Sequence, residues 1–132
     1  MKWFIRIVIF GGLAIALLIG LATNFLRHGG EGMTPKEIAD VFPATIDTPL
    51  QTYKMNTGHY PTTEQGLMAL IKAPAGVTNW RGPYLTIKDV PLDPWGTPYH
   101  YRSPGLHNPA TYDLWSLGPD KLDNTDDDIH NW

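Results

Sequence analysis

The longest apolar stretch in the chain is IVIFGGLAIALLIGLATNFL at residues 7–26, twenty residues without a charge between Arg6 and Arg27. At about 1.5 Å per helical residue, such a run spans the ~30 Å hydrocarbon core of a bilayer. A single transmembrane helix is therefore predicted within residues 1–27. Lys2 and Arg6 before the run favour a cytoplasmic amino end, while Arg27 and His28 follow it. A cleaved signal peptide shares the charged start and apolar core. The length of the run, and the lack of a clean Ala-x-Ala site after it, favour an uncleaved anchor. Residues 28–33, HGGEGM, read as a linker, and residues 34–132 as the domain beyond it.

The pattern then turns amphipathic. TPKE at 34–37 has capping-box spacing with proline at the first helical position, so a helix is predicted to start there. Ile38, Ala39, Val41 and Phe42 continue it until Pro43, which is expected to stop or kink it. Thr48 and Pro49 offer a second start, with Leu50, Tyr53 and Met55 following and Gly58 as the stop. The prediction is a broken stalk helix. Thr62 and Gln65 have the same capping spacing, and Leu67, Leu70 and Ile71 form an apolar face, so a second short helix is predicted before Pro74. Residues 75–98 are dense in Gly, Pro and aromatics and read as a long ordered loop. Residues 99–101 and 112–115 read as strands of a small antiparallel sheet, joined through residues 105–109. The fold class that follows is α+β, on a membrane stalk.

Composition narrows the function classes. One domain of ordinary size fits the 132 residues. The absence of cysteine excludes a disulfide framework and a thiolate metal site. A net charge of −3 with no basic patch argues against nucleic acid as a partner. The negative charge is concentrated late: GPDKLDNTDDDIHNW at 118–132 holds Asp120, Asp123, Asp126, Asp127 and Asp128 against one lysine. Such a charge run commonly forms a solvated tail. Here it is bracketed by Leu117, Ile129 and Trp132, and Trp132 buries its ring only if the segment folds back. Folding back draws carboxylates together, and a pair at about 4 Å repels by roughly 4 kcal/mol at an effective dielectric near 20. A hard divalent cation turns that repulsion into coordination, and calcium suits an irregular oxygen-rich loop better than magnesium. The spacing is not that of an EF-hand.

Five strings occur in order: YPTTEQGLMALIKAP at 60–74, WRGPYL at 80–85, VPLDPWGTPYHYRSPG at 90–105, YDLWSLGPD at 112–120 and DDDIHNW at 126–132. Together they make residues 53–132 resemble the major pseudopilins of type II secretion systems. The resemblance implies a type IV pilin-like fold: a single amino-terminal helix half-sunk in the bacterial inner membrane and a small periplasmic domain with a short antiparallel sheet. It implies self-association, or assembly with other pseudopilins and secretion-system components, into a helical pseudopilus that pushes folded proteins outward. It also implies one calcium ion in the last loop. Carried over residue by residue, the ligands would be the carbonyl of Leu117 and the carboxylates of Asp120, Asp126, Asp127 and Asp128, with a carbonyl near Leu122. The anchor departs from the family: around Phe10-Gly-Gly-Leu-Ala-Ile-Ala the run has no glutamate, the residue that in the family meets the neighbouring subunit's amino terminus.

Other chemistry is weaker. His28, His59, His100, His107 and His130 have no metal-ligand spacing, and Ser103 and Ser116 lack a nucleophile elbow. The aspartates crowd one loop instead of facing each other across a cleft as glycoside cleavage requires. No enzyme and no small-molecule substrate are expected. Trp80, Trp95 and Trp115 either line a sugar-binding face or pack the core, and the second reading is favoured because aliphatic residues are scarce beyond position 75. An alternative function is a membrane-tethered module that binds glycan or peptidoglycan through exposed aromatics.

Overall fold

The computed structural model of the protein describes residues 32–132. The predicted transmembrane helix and most of the predicted linker lie outside the described residues. Among the described residues, no helix is long and apolar enough to cross a membrane.

Helix α1, Pro35–Thr57, starts at the expected box: the Glu37 amide donates to the Thr34 hydroxyl at 3.3 Å, and the Thr34 amide donates to the Glu37 carboxylate at 2.6 Å. It ends where Gly58 turns left-handed, at φ 89°, and donates its amide to the Lys54 carbonyl at 2.7 Å. The predicted break is not there. Both Pro43 and Pro49 sit inside one continuous helix. Each proline removes a helical hydrogen bond and crowds the carbonyl four residues back, at a cost of about 3 kcal/mol. Two features offset this. Ala39, Phe42, Ile46, Leu50 and Tyr53, spaced three and four apart, form one buried stripe, and the four larger side chains stabilise by roughly 1.5–3 kcal/mol each. The carbonyl that Pro43 leaves without its donor, that of Ala39, instead accepts from the buried Tyr99 hydroxyl at 3.3 Å.

The predicted second helix is also corrected. Thr62 and Gln65 do cap each other, through bonds of 2.9 and 3.2 Å. Gly66 then takes a left-handed φ of 59° and ends the turn, and only a single 3₁₀ turn follows, Leu67–Leu70. Its residues Leu67, Ala69 and Leu70 are buried. The long loop folds over this turn. Tyr84 and Leu85 both donate amides to the Leu70 carbonyl, and the Trp80 indole donates to that of Ala69 at 2.8 Å.

The sheet has three antiparallel strands in the order β1 (His100–Arg102), β2 (Asp113–Ser116), β3 (Ile129–His130). The first two start one residue later than the pattern predicts, and β3, two residues long, was not predicted at all. Register pairs His100 with Trp115 and Trp115 with His130 on one face, and Tyr101 with Leu114 and Ser116 with Ile129 on the other. The second face packs on α1. Tyrosines make the join: the Tyr112 hydroxyl donates to Asp47 on α1 at 2.8 Å, and Phe42 lies 4.6 Å from the Tyr99 ring.

Candidate metal centre

The acidic loop leaves β2 at Leu117 and returns into β3 at Ile129, so the sheet register fixes both of its ends. Gly118, left-handed at φ 66°, starts the turn, and a Cβ there would overlap the Asp127 carbonyl oxygen and meet its carboxylate at 2.9 Å. Glycine thus lets the loop's outgoing and returning arms touch. The Asp127 carboxylate closes the contact, accepting from the Asp120 amide at 3.1 Å and from the Thr125 hydroxyl at 2.6 Å. The bond from Thr125 is the main reason the Asp127 carboxyl sits below its ordinary pKa. Asp128 accepts from the Asn124 and Thr125 amides, at 2.9 and 3.3 Å, through one carboxylate oxygen. Its other oxygen, Oδ1, is buried without a hydrogen-bond partner. Asp120 accepts from the Leu122 amide at 2.8 Å, and Asp123 from the Trp115 indole at 3.0 Å.

Of the expected ligands, the fold draws Asp120, Asp127 and Asp128 into one hydrogen-bonded loop, with half-buried Leu117 at its root, and leaves Asp126 exposed. Among the described residues, no three carboxylate or imidazole side chains converge tightly enough to hold a metal ion as they stand. The donor set still fits a hard cation. It is all oxygen, and an unpartnered buried carboxylate oxygen such as Asp128 Oδ1 costs more than 1 kcal/mol until something positive meets it.

Two other carboxylates, not singled out by the sequence reading, organise the surroundings. Buried Asp113 accepts from the amides of Leu106, His107 and Asn108 at 2.6, 2.9 and 2.9 Å, with His107 Nδ1 at 3.3 Å. Burial alone would raise its pKa, but those amide bonds outweigh it and hold the carboxyl low. Buried Asp93 accepts from the Ser116 hydroxyl at 2.6 Å and from the Trp95 and Thr97 amides, and it too is held low against its burial. The available signals were GLHN at 105–108 and DPWGT at 93–97, short turns beside a lone aspartate.

The Trp80, Trp115 and Trp132 rings pack on other side chains. The Trp80 indole meets Tyr84 edge-on at 5.6 Å, and Lys54 Nζ lies over the Tyr60 ring at 4.6 Å. Trp132 folds back onto the outer sheet face. It lies parallel to His107 at 4.0 Å and to His130 at 4.3 Å, with an edge contact to Trp115 at 5.9 Å. Although it is 40% exposed, both faces of its ring are covered, which leaves no platform on it for a sugar.

A profile of the family described as type II secretion system (T2SS), protein G, matches residues 28–132. The chain belongs to that family. It is 38% identical over 130 residues to the type II secretion system core protein G of Klebsiella pneumoniae, covering 96% of this chain and 86% of that protein. It is also 38% identical to the Escherichia coli K12 core protein G, over 96% of this chain and 83% of that one. The described fold agrees. The crystal structure of the major pseudopilin of the type 2 secretion system of enterohaemorrhagic Escherichia coli superposes with a TM-score of 0.63 at 33% identity, over 86% of this chain and 94% of that one. The similarity reaches well before residue 53, into the helix and the segment ahead of it. As a family of structural secretion subunits, it places the chain outside the enzymes.

Proposed function

We propose that this protein is a structural pseudopilin of a type II secretion system, tethered in the inner membrane by residues 7–26 and stabilised in the periplasm by calcium in its acidic loop. It works by assembling with other copies or with other pseudopilins. The observation that carries the secretion role is the agreement of family, helix and three-stranded sheet across the domain. The calcium reading is supported by Asp128 Oδ1, a buried carboxylate oxygen with no hydrogen-bond partner, on a residue whose other oxygen accepts two backbone amides. The carboxylates of Asp120, Asp126, Asp127 and Asp128 and the carbonyl of Leu117 would hold the ion. Bound calcium would supply the positive charge that lets these acids crowd together, so part of its binding energy would become folding energy.

The test uses the full-length chain in detergent and in cells. Saturating calcium should raise the melting temperature over that in chelator, since a ligand at a hundred times its dissociation constant adds about 2.7 kcal/mol. Equal midpoints would sink the calcium reading. In cells carrying the secretion apparatus, crosslinking should trap the chain with itself or with other pseudopilins. Recovery of uncrosslinked monomer alone would sink the assembly reading.

A further inference from the structure

β3 is only two residues long and begins directly after Asp128. A strand so short is marginal by its own ladder. Asn131 adds to its hold, donating its amide to the Leu114 carbonyl at 3.1 Å and accepting the Leu114 amide at 2.9 Å. Beyond Asn131, Trp132 is inserted between two imidazoles that come from different parts of the chain. His130 belongs to β3 itself. His107 belongs to the loop between β1 and β2, where Asp113 holds its amide at 2.9 Å and its Nδ1 at 3.3 Å. The ring planes are within 5° and 7° of parallel to the indole. A continuous series of contacts therefore runs from Asp113 through His107 and Trp132 to β3, and on to Asp127 and Asp128. The outer face of this clasp is exposed, so its value to the core is small.

We infer that Trp132, clasped between His107 and His130, is a positioning residue for the acidic loop, fixing the returning arm that carries Asp127 and Asp128 against the outgoing arm at Gly118 and Asp120. This rests on the calcium reading above. Without the clasp β3 frays, the two arms part, and the carboxylates must be ordered by the ion itself at a cost in affinity.

The experiment is calcium titration calorimetry on the full-length chain in detergent, comparing wild type with W132A, H107A, W132F and H100A. W132A and H107A should each bind calcium about tenfold more weakly or worse, the range seen when a group supporting a metal ligand is lost. W132F should recover most of the affinity, because a phenyl ring still fills the gap between the imidazoles. H100A removes a ring that stacks on Trp115 at 5.1 Å and not on Trp132, and should stay within about twofold of wild type. If W132A does not fold, H107A decides, since that side chain lies on an exposed loop. Unchanged affinity in both W132A and H107A overturns the inference and leaves the calcium reading standing. An equal loss in H100A, or no rescue by W132F, overturns it as general destabilisation. A wild-type chain that binds no calcium overturns both.

Discussion

Three backbone amides converge on the carboxylate of Asp113, and the loop at 105–108 has its shape because of them. The approach is so close that a Cβ on Gly105 would overlap Asp113 Oδ1. Asp113→Ala leaves those part-buried donors without their acceptor, and should cost about 1–3 kcal/mol in denaturant unfolding. Its pH signature follows from the direction of its shift. With the folded carboxyl held below the ordinary value near 3.9, its stabilisation is complete above that pH and fades as pH falls through the folded pKa. Asp93 acts in the same sense. Wild type should therefore lose stability steeply below about pH 4, and Asp113→Ala should flatten that slope. An unchanged slope would count against this account. Alternation along residues 112–115 assigns Asp113 to the side of the strand away from Leu114, which in a small sheet ordinarily faces water. It is buried because the turn at 106–108, five to seven residues before it, folds back and aims three amides at its carboxylate, which strand alternation alone does not report.

At the scale of elements, α1 is where expectation and outcome part most clearly. Both ends were legible, because capping box and left-handed glycine are local chemistry. Continuity through Pro43 and Pro49 was not. It depends on a stripe of side chains buried against a sheet contributed by residues sixty positions later, and on the Tyr99 hydroxyl meeting the Ala39 carbonyl. A double-mutant cycle measures that compensation. Tyr99→Phe should cost about 1 kcal/mol in the wild-type background. In a Pro43→Ala background, where residue 43 again donates to Ala39, the same change should cost measurably less, with a coupling of at least about 0.5 kcal/mol. Full additivity would show that the two sites are independent. The second helix failed for a local reason. Gly66 supplied the left-handed turn that ended it, although the spacing of Leu67, Leu70 and Ile71 pointed to a helical face. β3 is too short for any periodicity to reveal, and exists because β2 offers it an edge.

Across the whole domain, aromatic rings join helix to sheet, and the phenols among them respond to base. Burial pushes the Tyr99 hydroxyl up to about 12. Tyr101 is raised further by burial, and Tyr112 by burial together with the bond it donates to Asp47. A raised folded value means that stability is complete below the ordinary tyrosine pKa near 10 and is lost as pH rises through the folded pKa. Unfolding midpoints should therefore fall from about pH 10 toward pH 12, with tyrosinate absorbance rising together with unfolding. Tyrosinate that appears near pH 10 ahead of unfolding would contradict the burial of these rings. By itself the sequence determined the α+β class, the helix caps, two of the three strands, the aromatic character of the core and the acidic loop, since each is written in local spacing or composition. Only the tertiary structure decided that α1 survives its prolines, that Asp93 and Asp113 are interior anchors, and that Trp132 lies between two histidines. The physical reason is packing between distant parts of the chain: Tyr99 reaches the Ala39 carbonyl, Ser116 reaches Asp93 and His107 meets Trp132. The nearby amides that hold Asp93 and Asp113 matter most once the fold has taken those carboxylates out of water.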